Sequence, residues 1–118
     1  MTLSGKRVLV TGGGTGVGAD LAAGFAGAGA EVVICGRRAA PLDAVAERTG
    51  ARALTADVTD EDSVKALFAQ AGPCDIVIAN AGAADSAPFG RTKLDQWNAM
   101  LAVNLTGTFL TFREGLAQ

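Results

Sequence analysis

Apolar residues in this chain fall into short unbroken runs, and between the runs into patterns spaced three and four apart. Val8, Leu9 and Val10 form the first run, Glu31 to Cys35 holds the second, and Ile76 to Ala79 is the last. Continuous Val and Ile over so few residues predicts strands covered on both faces, the habit of a parallel sheet with helices on either side. A further stretch, Arg52 to Ala56, is made less apolar by Arg52 and Thr55 and so predicts an edge strand. Strand, helix and strand within about 30 residues is the βαβ unit.

The spaced patterns predict the helices. Val17, Leu21, Phe25 and Ala28 fall on one face, with Gly29 placed to end the helix. Leu42, Val45 and Ala46 follow Pro41, whose missing N–H costs nothing near a helix start, and Gly50 closes that pattern. Thr59 with Asp62 gives a capping-box-like start to a third helix with Val64, Leu67, Phe68 and Ala71 inward, broken by Gly72 and Pro73. Ala83 to Arg91 is small, polar and proline-containing, and reads as a surface loop.

The last helix is expected from Thr92, with Asp95 as capping partner. Trp97, Leu101, Asn104 and Thr108 share a face on that spacing, so Asn104 would be an amide within an apolar stripe and would need hydrogen bonds. Leu101, Val103, Leu105, Phe109, Leu110 and Phe112 make the same helix apolar almost all round, as in a helix covered on several sides.

The stretch Lys6 to Gly18, KRVLVTGGGTGVG, organises the rest. The first strand stops at Thr11 and five glycines follow within seven residues, ahead of a helical pattern. Without a Cβ, such a turn bends sharply, and its N–H groups with the following helix dipole suit a diphosphate. Gly12, Gly16 and Gly18 fit TGxxxGxG, while Gly14, Gly16 and Ala19 fit the GxGxxA fingerprint. A phosphate loop would need Lys and Ser or Thr after Gly18, where Ala19 and Asp20 stand, so a triphosphatase is rejected. The bland alternative is a turn that serves only helix-to-sheet packing.

Composition changes little except by exclusion. With 118 residues, 49% hydrophobic and 19% charged, the chain has the make-up of one ordered domain. A net charge of −2, with no basic tract beyond Arg37 and Arg38, gives no support for nucleic-acid or membrane-surface binding. Cys35 and Cys74 have neither metal-ligand nor disulfide-framework spacing, and no metal ligand set is expected. No signal core or bilayer-length apolar run is visible, so a soluble cytoplasmic protein is the default. His and Tyr are both absent, which removes the commonest general base and the phenol acid.

Four motifs in one order carry a resemblance: TGGGTGVG, the Gly-Arg-Arg after the second strand, Asp57-Val58, and Asn80-Ala81-Gly82 with Asn104 beyond. Together they resemble the short-chain dehydrogenase/reductase family, Rossmann-fold oxidoreductases that use NAD or NADP. The resemblance covers the whole chain but only the N-terminal half of a typical member. It implies a doubly wound parallel α/β sheet with about four strands in order 3-2-1-4, and one dinucleotide-binding domain over residues 1–118.

The resemblance also implies roles. Gly12, Gly16 and Gly18 would form the pyrophosphate turn, with Thr15 and Val17 as loop contacts. Asp57 would accept from the adenine amino group, with Val58 beside the ring and Val103 near the adenosine ribose. Asn80, Ala81 and Gly82 match the NNAG motif, with Ala79 replacing its first Asn, and would line the nicotinamide ribose. Asn104 would be the asparagine of the catalytic tetrad, which kinks its helix and holds a relay water. The bland alternatives are a turn residue for Asp57, a strand end for Asn80 to Gly82, and an amide serving a core carbonyl for Asn104.

Cofactor choice has its own physics. An NAD site places a carboxylate at the end of the second strand, about 20 residues past the glycines, for the ribose diol. Here that position is Gly36, and Arg37 follows with a planar fork of donors suited to a 2′-phosphate, with Arg38 as a helper. The expectation is NADP rather than NAD. The alternative for the two arginines is a solvated pair opening the next helix.

The family completes carbonyl reduction with a Ser and a Tyr-x-x-x-Lys pair after the asparagine helix, and this chain holds no tyrosine. The reading is therefore the cofactor-binding half of an NADP-dependent reductase of a ketone or secondary alcohol, truncated before the catalytic segment and inactive by itself. A non-catalytic NAD(P)-binding module is the alternative. The unpaired fourth strand is expected to bring the chain together with another copy or with a C-terminal half.

Overall fold

A computed structural model describes residues 2–85 and 87–118. Four strands, β1 (Arg7–Thr11), β2 (Glu31–Gly36), β3 (Arg52–Thr55) and β4 (Ile76–Ile78), form one parallel sheet in the order β3-β2-β1-β4. The expected order and the edge position of Arg52–Thr55 are both observed. Val8, Leu9 and Val10 pair with Val32, Val33 and Ile34 on one side and with Ile76, Val77 and Ile78 on the other. A central strand so paired must be apolar on both faces, and all three of its residues are fully buried.

Alternate side chains feed two cores. Leu9, Val33 and Cys35 join Val64, Leu67 and Phe68 of α3 (Glu61–Ala71) and Leu110 of α5 (Gly107–Ala117). Val8, Val10, Val32 and Ile34 face the other way, against Ala19 and Ala22 of α1 (Gly16–Gly27) and Leu42 and Val45 of α2 (Ala39–Thr49). Below the sheet Arg7 acts as a staple. Its guanidinium donates to the Ala71 and Pro73 carbonyls and to Glu31, while Asp75 accepts from its main-chain N–H at 2.8 Å.

Several local expectations are corrected. The inward face of α1 is Gly18, Ala19 and Ala22, and Val17 of the expected stripe is 67% exposed. Val17, Leu21 and Ala28 line a groove on the outer side with Leu3, and Phe25, at the edge of that groove, is half-buried against the core. The cap of α3 is Asp60, which accepts from the Ser63 N–H at 2.9 Å, because the Thr59 hydroxyl is turned back to Asp57. The fourth helix, α4 (Leu94–Leu101), starts two residues after Thr92, and Gln96 rather than Asp95 accepts from the main chain of Lys93. The Thr92 hydroxyl donates to the Pro88 carbonyl instead, across the 3-10 turn Phe89–Arg91.

Of the expected loop, 83–85 and 87–88 are irregular, while Ser86 lies outside the described residues. Between α4 and α5 the backbone widens into a π turn, Ala102–Thr106. The face expected to be buried is itself open, with Trp97 and Leu101 exposed and Asn104 exposed beside them. Among the described residues no helix is long and apolar enough to cross a membrane.

Burial pushes the Cys35 thiol up to about 12, against a smaller opposing effect of a Gly12 backbone hydrogen bond. Cys35 is fully buried under the glycine loop. We expect iodoacetamide at pH 8 to leave Cys35 unmodified in the folded protein and to label it once urea unfolds the chain, as read by peptide mass mapping. Rapid labelling of Cys35 under native conditions would contradict this packing.

Candidate functional site

At the carboxyl end of the sheet the β1 strand, the first turn of α1 and the end of β4 meet at closer range than side chains allow. A Cβ on Gly18 would lie 2.0 Å from the Gly12 carbonyl oxygen, and one on Gly12 would lie 2.9 Å from the Ala81 Cα. Gly12 also has φ +66°, in the left-handed region that glycine adopts without strain. The consequence is a bare backbone cradle. The N–H groups of Gly14, Thr15, Gly16, Val17 and Gly18 have no hydrogen-bond partner among the described residues, and the last three open helix α1.

Thr11 holds the cradle to β4. Its buried hydroxyl oxygen accepts from the main-chain N–H groups of Asn80 and Ala81, each at 2.9 Å. The Asn80 side-chain amide returns the link by donating to the Gly12 carbonyl at 3.2 Å. Farther along, Asn104 pairs with the backbone of Ala83 like a strand neighbour, with Oδ1 accepting from its N–H and Nδ2 donating to its carbonyl, both at 2.8 Å. The Asn104 carbonyl accepts from the Thr108 hydroxyl at 2.9 Å.

A cleft of about 530 Å³ runs from this cradle across the tops of β1, β2 and β3. Gly12, Thr15, Ala81, Gly82 and Val103 line one end. Gly36, Arg37, Arg38, Asp57 and Val58 line the other. Both arginines are exposed, and neither forms an ion pair among the described residues. Asp57 is held below the usual carboxylate range, chiefly by the Thr59 hydroxyl, then by the Thr59 N–H, with a smaller contribution from the Arg37 charge against the cost of burial.

Nine of the expected residues thus meet in one cleft: Gly12, Thr15, Arg37, Arg38, Asp57, Val58, Ala81, Gly82 and Val103. Gly16, Val17, Gly18, Asn80 and Asn104 stand behind or beside it and not in its lining. Thr11, Thr59 and Ala83 were missed in the sequence. Thr11 had a signal, as a lone hydroxyl ending an apolar strand. Thr59 was assigned to the helix start, and Ala83 carries no side-chain signal because only its backbone is used.

A four-stranded 3-2-1-4 parallel sheet with a glycine turn under a helix start defines a Rossmann-type α/β unit. Residues 6–118 match the family model for short chain dehydrogenases, and the chain belongs to that family. It is 42% identical over 117 residues to gluconate 5-dehydrogenase of Gluconobacter oxydans (strain 621H), covering 92% of this chain and 46% of that protein. A crystal structure of a short-chain type dehydrogenase/reductase from Mycobacterium marinum superposes with a TM-score of 0.92 at 34% identity, over 98% of this chain and 51% of that one. The RhlG/NADP active-site complex of Pseudomonas aeruginosa superposes with a TM-score of 0.92 at 31% identity, over 98% of this chain and 48% of that one. The chain therefore spans about half the length of the relatives it matches.

Two glycines of α1 separate packing from propensity. Gly18→Ala forces its methyl into the Gly12 main chain and should lower unfolding stability by about 2 kcal/mol or more. Gly24→Ala, with nothing within 4 Å of its Cβ, should raise it by about 0.5–1 kcal/mol. Urea titrations followed by circular dichroism measure both. Similar effects at the two positions would contradict the close approach.

Proposed function

We propose that the chain is the cofactor-binding half of an NADP-dependent short-chain reductase that interconverts a ketone and a secondary alcohol. Membership of an oxidoreductase family fixes the broad chemistry. The finer reading is carried by one observation. Where a ribose-binding carboxylate would stand at the end of β2 there is Gly36, followed by two unpaired guanidinium groups that line the cleft.

The residues present fit the dinucleotide. A diphosphate is an anion that needs close donors, and the bare N–H groups of 14–18 at a helix N-terminus provide them with no side chain in the way. Arg37 offers a bidentate fork to a 2′-phosphate, and Arg38 adds positive charge beside it. Asp57 keeps its charge and accepts from the adenine amino group, with Val58 against the ring. Ala81, Gly82 and Val103 flank the ribose units. When bound, the nicotinamide exchanges a hydride with the substrate carbon.

Asn104 has both side-chain polar atoms committed to Ala83. Each atom keeps one further site, an N–H on Nδ2 and a lone pair on Oδ1, for the relay water assigned to Asn104. The family's Tyr and Lys are assigned to a segment outside these 118 residues, since no tyrosine is present. The free outer edge of β4 and the exposed side chains Trp97, Leu101, Leu105, Phe109 and Phe112 support a covering half of that kind.

Titration of the protein with NADPH and NADH, followed by nicotinamide fluorescence, tests the cofactor. We expect NADPH to bind roughly tenfold or more tightly, the scale of a charge-assisted bidentate pair. Arg37→Glu should reverse the order. Tighter NADH binding by the unaltered protein would refute the assignment of Arg37.

We also expect the 118-residue chain by itself to run larger than a monomer in size-exclusion chromatography with light scattering. A monomer whose Ile76–Ile78 amides resist exchange would remove the need for a covering half.

A further inference from the structure

The carboxylate of Asp57 is not simply exposed at the cleft; one of its two oxygens is already spoken for. Oδ1 accepts from the Thr59 N–H at 2.9 Å and from the Thr59 hydroxyl at 2.7 Å. No described residue donates to Oδ2. The Asp57 backbone is fixed as well, because its N–H donates to the Ser63 hydroxyl at 2.9 Å while the Ser63 N–H is tied to Asp60. The side chain therefore has one rotamer with both bonds made, and it lines the cleft.

We infer that Thr59 is a positioning residue for base recognition: by saturating Oδ1 it leaves Oδ2 as the single free acceptor presented to the exocyclic amino group of the cofactor's adenine. This rests on the reading above that Asp57 faces adenine. The hydroxyl adds to the Thr59 backbone N–H in two ways. It blocks rotation about the Cβ–Cγ bond, which would break two bonds at once. It also favours the ionised form, in line with the lowered affinity of Asp57 for its proton. An ionised acceptor attracts an amino group and repels an oxygen, so the site should tell adenine from hypoxanthine.

The alternative is that Thr59 merely shapes the turn ahead of α3. A purely structural role would weaken binding of every dinucleotide alike, whereas a positioning role changes the ratio between bases. Affinities are therefore measured for NADPH and for its hypoxanthine analogue, in which a carbonyl oxygen replaces the amino group. The unaltered protein should prefer the adenine form by roughly tenfold. Thr59→Ser should keep that preference, and Thr59→Val should reduce it to about twofold or less. If Thr59→Val does not fold, Thr59→Ala removes the same hydroxyl with less bulk and carries the same expectation.

An adenine preference that survives unchanged in Thr59→Val overturns the inference and leaves the Asp57 assignment standing. No preference in the unaltered protein overturns the Asp57 assignment and the inference with it.

Discussion

The distance between the Gly12 carbonyl and the α carbon of Gly18 governs this end of the molecule. No side chain fits between them, so the first turn of α1 can lie directly on the end of β1. That contact leaves five main-chain N–H groups without a partner among the described residues, and the fully buried residues of α1 are the small Gly18, Ala19 and Ala22. It also puts the Asn80 amide within reach of the Gly12 carbonyl. A buried hydroxyl on the neighbouring residue then closes the arrangement, since Thr11 gives the Asn80 and Ala81 N–H groups the acceptor they would otherwise lack. Strand β4 is only three residues long, and this side-chain strap continues the link to β1 where the ladder stops.

From that crossing the cleft divides by charge. Donors belong to the backbone at one end, where position must be fixed and charge can be partial. At the other end the work falls to side chains: two guanidinium groups and one carboxylate. Arg37 lies near enough to Asp57 to lower its proton affinity, yet the first cause is Thr59, so the pair is not a salt bridge that neutralises both members. Each keeps a free face toward the cleft. A bonded Arg37–Asp57 pair would have spent on itself the groups a dinucleotide needs.

The strands were legible because a central parallel strand must be apolar throughout, and Val8–Val10, Val32–Cys35 and Ile76–Ile78 are, while their order was implied by the family resemblance. The glycine cradle was legible for the same kind of reason, since several glycines in a row serve little else. The α1 face was not. Counting large apolar residues selects Val17, Leu21 and Phe25, but close packing rewards the smallest residues, and Gly18, Ala19 and Ala22 took the core side. The Thr59–Asp57 bond was hidden because Thr-x-x-Asp describes a cap equally well, and only the structure shows the hydroxyl pointing back to Asp57. Half of the cleft-lining residues contribute mainly backbone or small surfaces, which periodicity does not detect.

The widened turn at Ala102–Thr106 is a consequence of the same economy of contact. Within it Asn104 meets the Ala83 backbone, and Gly107, just past it, faces inward, where a Cβ would sit 2.7 Å from the Val58 side chain. One backbone irregularity thereby ties the long C-terminal helix to two sides of the cleft, through Ala83 on one side and Val58 on the other. π turns recur at functional sites, and here the Thr108 hydroxyl donates to the Asn104 carbonyl one turn back. The helix is thus part of the cleft wall, and movement of its outer face would be felt at both ends of the site.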